Sequence, residues 1–403
     1  MTHADTNPAG ARRGSIRPLA LLLAAFMPIT AACGDDATAK DAGKPDSGAI
    51  VVPDAGPLSC QPLKGDYAPG ATDAWQKCSY DDGKYHKIMA TIGSAARVAA
   101  FEDMVKLIFT PKADPSVDDF MNAYLKYIGA GGGEEESIES RIKRRYDPHF
   151  GVSPDEDPVN GIDCHDVITT DANPAVAENP DYCVGAGILK PIVDAAFAAA
   201  ADAADPGPRR LHAARIEGAL LWLFYASAYK ESESCTDTPE DCDSSWAYGN
   251  GAKDKGKEIG LVGRIRALDP ETADRIWTGN LAVSCWREND KTGSDLNLTY
   301  DSIDRKLRDK SRNQADRALL DGVALVVADT LSKAKAATGD VAKYQLAMVQ
   351  VLGRALYRQM GEDSPTDKAT LQTALDAETP TDTQLDAAID AVGNVFPISC
   401  TPN

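Results

Sequence analysis

The sequence predicts an all-α protein, a helical bundle stapled by disulfides. Three observations carry the prediction. Apolar residues recur at i, i+3, i+4 through most of the 403 residues. Alternating β-branched runs bounded by turn residues are almost absent. Asp, Pro and Gly punctuate the chain at intervals that suit helix ends.

The first element is a leader. Arg12, Arg13 and Arg17 precede an apolar run from Leu19 to Phe26 that continues to Ile29. Charge, then an apolar stretch too short to span a bilayer, then small residues is the layout of a secretory signal peptide. Thr30-Ala31-Ala32-Cys33 resembles the lipobox of bacterial lipoproteins, with Thr30 in place of the usual Leu, Val or Ile. That resemblance implies a signal peptide over 1–32, acyl chains on Cys33 and attachment to a membrane. One acyl chain binds only reversibly, whereas two or three hold. Gly34 after the cysteine, by analogy with lipoprotein sorting, favours the outer membrane, with the domain facing the periplasm or cell surface. Residues 33–59 then form a tether, since a stretch rich in Asp, Ala, Gly and Pro buries too little apolar surface to fold.

Helices follow over 60–403. Ile88, Ile92, Ala95, Val98, Phe101 and Val105 predict one over 86–109, and Phe120, Tyr124 and Ile128 predict another over 117–128. Residues 150–182 read as a loop, within which the acidic stretch from Asp155 to Asp166 resembles a calcium loop but lacks its closing Glu. Further helices are expected at 185–203, 209–232, 256–267, 270–282, 301–334, 340–360, 366–377 and 382–394. Asp269 caps one of them, with Pro270 at its first position. Shifting the chain by 135 residues aligns 187–222 with 322–357. Asp205 then meets Asp340, and Gly218 meets Gly353. The register predicts two related helical hairpins, as halves 60–285 and 286–403, with close helix contacts at the two glycines.

Giving Cys33 to the lipid leaves eight cysteines, an even number for an oxidising compartment. Near-neighbour pairing predicts Cys60–Cys78, Cys164–Cys183 and Cys235–Cys242, with Cys285 left to join Cys400. No Cys-x-x-Cys spacing favours zinc or an iron–sulfur cluster. The net charge is −19, and cleavage after residue 32 removes three arginines and one aspartate, making the chain more acidic still. Such a surface repels nucleic acid.

No catalytic motif is present, so a non-enzymatic role is expected. The mature histidines, His86, His149, His165 and His212, fall in no metal-binding spacing. The densest chemistry runs from Glu217 to Trp286. Glu217, Leu221, Tyr225 and Tyr229 share a helical stripe beside Trp222, and Asp243-Ser-Ser-Trp246-Ala247-Tyr248-Gly-Asn-Gly251 follows. These groups serve either as a core with buried hydroxyls or as a hard-cation site. Asp243-x-x-Trp246-Ala247-Tyr248-x-x-Gly251 resembles a segment of algal low-iron-inducible periplasmic proteins and phytotransferrins, with Ser244 and Gly249 departing from their pattern. The resemblance implies ferric iron capture, with Glu217, Tyr225, Asp243, Trp246 and Tyr248 as candidate ligand residues. The expectation is therefore a lipid-anchored binding module for iron or another hard cation. An envelope scaffold with a protein partner is the alternative, and a hydrolase stands third.

Overall fold

The computed structural model describes residues 83–85, 87, 92–109, 114–129, 137–147, 149, 164, 181–235, 238–289 and 302–396. All belong to one unit, Ala55–Asn403. Cys33, Cys60, Cys78, Cys400, the leader, the tether and most of the 150–182 loop lie outside the described residues. Among the described residues every regular element is helical, as the periodicity predicts.

Helices α1 (Ile92–Leu107) and α2 (Val117–Gly129) pack as a pair. Val98, Phe101 and Met104 bury one face of α1, while Phe120, Ala123 and Tyr127 bury one face of α2. Helix α3 (Ile138–Arg144) starts at Ser137, whose hydroxyl accepts the Ser140 N–H at 2.9 Å. This helix falls where no helix is expected, because seven residues are too few to display a period. A π-helical turn, Val184–Leu189, leads into α4 (Lys190–Asp202). Val184–Asp202 is long and apolar enough to cross a membrane, but half of it is buried inside this fold.

Helix α5 (Pro206–Ser234) is the axis of the molecule, buried almost all round from Ala213 to Ala228. Helix α6 (Pro239–Asn250), which carries Cys242 of the Cys235–Cys242 disulfide, is also absent from the expected set. Its Asp and Ser residues favour caps and turns over helix interiors, so burial against α5, not propensity, holds it. Helices α7 (Gly260–Leu268) and α8 (Pro270–Asn289) follow. Asp269 caps α8 as its spacing predicts, accepting the N–H of Glu271 at 3.1 Å and of Thr272 at 3.2 Å.

Helix α9 (Ser302–Ala336) packs along α8 and turns at Gly339 into α10 (Gly339–Leu352). A 3-10 turn, Gly353–Leu356, joins α10 to α11 (Tyr357–Asp363). Helices α12 (Pro365–Asp376) and α13 (Asp382–Val395) close the described chain, the latter with a capping box between Thr381 and Gln384. The two aligned hairpins, α4–α5 and α9–α10, pack through α5 against α10. These two helices run in the same direction. A Cβ on Gly207 would lie 3.2 Å from Asp340, and one on Gly218 would lie 2.5 Å from the Met348 carbonyl oxygen. Gly218 therefore sits at the close helix contact that its place in the alignment predicts.

The Cys164–Cys183 and Cys235–Cys242 disulfides form as expected, with Cα separations of 5.3 and 4.7 Å. Cys285 is disulfide-bonded as well, to a partner outside the described residues.

Candidate functional site

The segment that leaves α3 is pinned from two sides. Gly185 donates its N–H to the Arg145 carbonyl at 2.8 Å, and Asp147 donates its N–H to the Tyr182 carbonyl at 2.7 Å. A Cβ on Gly185 would lie 2.0 Å from the Ile142 oxygen, so only glycine permits this approach. The neighbouring Cys164–Cys183 bridge ties the same turn to Cys164. The effect is to set His149 against α5.

His149 Nε2 is 2.8 Å from the Tyr225 hydroxyl, and its ring centroid is 4.1 Å from that of Tyr229. Its backbone N–H donates to Asp147 Oδ1 at 2.9 Å. One turn of helix separates the two tyrosines, so both present to the same imidazole. Beside this contact lies a cavity of about 400 Å³ whose polar lining includes Asp147, His149, Asp181, Tyr225, Arg354 and Lys368. Trp222, Ile188 and Leu320 supply apolar wall. A second cavity of about 460 Å³ shares His149, Leu320 and Gln359 with the first and extends to Tyr229 and Asp316.

Burial raises the carboxyl of Asp147 to about 7, with Arg358 opposing and Asp181 and Glu362 reinforcing the shift. Burial also pushes the Tyr225 phenol well up, so it stays protonated and able to donate. Asp316 is raised well above the carboxylate range by burial, against the pull of Arg312. Among the described residues neither cavity is lined by Ser, Thr or Cys, so no hydroxyl or thiol nucleophile of those types faces them. The lining instead offers hydrogen-bond donors, acceptors and charges of both signs, which is the equipment of recognition.

The five sequence-derived candidates are dispersed. Glu217 is buried and ion-paired with Arg264 of α7, and it accepts the hydroxyl of Tyr344 from α10. Tyr225 alone reaches the cavity. Trp246 stacks on Tyr85 with centroids 4.2 Å apart and the planes 5° from parallel. Asp243 is fully buried. Tyr248 is also buried, and its oxygen accepts from Arg97 at 2.7 Å and from Arg141 at 2.8 Å. Burial alone would raise this phenol, but Arg141, Arg97 and Arg145 together lower it.

Arg264 and the Tyr344 hydroxyl thus occupy the oxygens of Glu217, and two arginines that of Tyr248, which a ferric ion would need. Among the described residues, no three His, Cys, Asp or Glu side chains form a group that could hold a metal. The donor set does not fit iron, and the stripe of Glu217 and Tyr225 divides between an internal ion pair and the cavity. Sequence reasoning missed His149, Asp147, Arg354 and Lys368. Tyr225 lies 76 residues from His149, and no spacing rule reports a contact across that distance.

No known family, curated protein or solved structure matches the chain.

Proposed function

We propose that this chain is an extracytoplasmic binding module, held to the outer membrane by acyl chains on Cys33, that receives a small polar ligand in the His149 cleft. The observation that carries the reading is the His149–Tyr225 pair beside a cavity of about 400 Å³ lined by charges of both signs. Pockets for small molecules run roughly 300–1,000 Å³ and combine apolar wall with a few oriented polar groups. Trp222 and Leu320 provide the first, and His149, Tyr225 and Asp147 the second. The leader and tether before the domain supply the anchor and its reach.

A thermal-shift screen of a small-molecule library tests this reading, run in parallel on the wild type and on Ala355→Trp. Ala355 lines the cavity and is half-buried, so an indole there fills space without entering the tightest core. Compounds that raise Tm for the wild type but not for the filled variant place binding in the cleft. A library with no such compound sinks the proposal.

The second reading is an envelope scaffold with a protein partner. It draws on α2, where Met121 and Leu125 are 56% and 55% exposed beside half-exposed Val117 and Tyr124. Crosslinking from Met121 in intact cells would favour it if the cleft screen fails and one protein is captured reproducibly.

A further inference from the structure

The cleft of the proposed binding module is lined by acidic and basic side chains between which, among the described residues, no ion pair forms. Asp147 accepts only the His149 backbone N–H, and among the described residues Asp181, Arg354 and Lys368 form no ion pair or hydrogen bond. All four line the same cavity of about 400 Å³. Several buried carboxylates elsewhere in the fold are held in ion pairs. Glu231 is held by Arg141 at 3.2 Å and Arg145 at 3.0 Å, Glu258 by Arg266 at 2.5 Å, and Glu217 by Arg264.

The two signs come from different elements of the scaffold. Asp147 and Asp181 sit on the pinned segment after α3 and at the approach to the π-helical turn. Arg354 sits on the 3-10 turn after α10, and Lys368 on α12. Arg358, also in the lining, is engaged by Glu362 at 3.1 Å and its charge also acts on Asp147.

We infer that the cleft recognises a small zwitterion, its ammonium group at Asp147 and Asp181 and its carboxylate at Arg354 and Lys368. The inference rests on the cleft being the binding site. A simple anion of this size meets the two aspartates, and a simple cation meets the arginines and lysine. Opposite charges at the two ends of one ligand satisfy both walls, as electrostatic complementarity requires. The His149–Tyr225 pair then offers hydrogen bonds in the same cavity, and Trp222, Ile188 and Leu320 provide an apolar surface for a side chain. Free amino acids and short peptides are the ligands with this chemistry.

Calorimetric titration of the full-length protein in dodecyl maltoside micelles at pH 8, where Asp147 is ionised, tests the inference. The probes are the twenty free amino acids, a pool of dipeptides, and the N-acetylated and C-amidated form of each binder. The expected result is saturable binding of at least one zwitterion, weakened ten-fold or more by either block. Asp147→Asn should lose affinity only for the ammonium-bearing forms, and Arg354→Ala with Lys368→Ala only for the carboxylate-bearing forms. Absence of binding by every probe overturns the inference, as does equal binding of blocked and free forms. If the library screen instead yields cleft-dependent compounds of one charge sign, the zwitterion is wrong and the binding module stands.

Discussion

At the scale of single residues, burial sets the protonation states and so the pH response. The Asp147 carboxyl, pushed up to about 7 by burial, is protonated in the fold below that pH and charged above it, while the unfolded chain ionises near 4. The unfolded state binds fewer protons across that window, so stability falls as pH rises from about 4 to 7. Asp147→Asn should remove the penalty: its Tm should exceed that of the wild type at pH 8, by several degrees, and the difference should vanish near pH 4. A Tm measured against pH checks this, and a difference independent of pH refutes the assignment. Glu231 behaves oppositely. Burial works against its charge, but Arg141, Lys230 and Arg145 hold its pKa well below the carboxylate range. Its contribution is present above the unfolded pKa of about 4 and is lost as pH falls towards the folded value. Glu231→Gln leaves Arg145, itself fully buried, without its counter-charge. A cost of about 3–5 kcal/mol at pH 7 is expected from urea unfolding, shrinking in acid. The residues themselves hinted at part of this. Glu217, Tyr225 and Tyr248 stood out as polar groups on apolar faces, but their partners come from distant helices. Whether a tyrosine meets an arginine or a histidine was not legible from spacing.

At the scale of elements, helix periodicity and capping carried most of the prediction, and failures occurred where those signals are weak. Helix α3 is too short to show a period, and α6 is rich in Asp and Ser. The aligned hairpins lead to a specific test. Gly218→Ala is favoured by helix propensity by about 1 kcal/mol, yet its Cβ would lie 2.5 Å from the Met348 oxygen and 3.2 Å from Val351. Overpacking should win, with a net loss of about 1–3 kcal/mol in denaturant unfolding. Gly129→Ala at the end of α2, with nothing within 4 Å of the added carbon, should be close to neutral. Equal effects at the two sites would show that α5 and α10 do not approach as closely as described.

At the scale of the whole molecule, the proposed anchor, tether and helical body each have a different physical basis. Cys33→Ser should move the protein from the detergent phase to the aqueous phase in a cloud-point partition, without changing the Tm of the folded domain. Retention in the detergent phase would mean that something other than an acyl chain at Cys33 holds it. The sequence by itself determined the helical class, the near-neighbour disulfides Cys164–Cys183 and Cys235–Cys242, and the helix start at Asp269. Those are local outcomes, set by residues a few positions apart through period, loop closure and capping. Only the tertiary structure decided that Glu217 turns to Arg264, that Tyr248 accepts two guanidinium groups, and that Tyr225 meets His149 across 76 residues. Long-range polar pairing depends on which helices the buried apolar faces bring together, and apolar periodicity states that a face is buried without naming its neighbour.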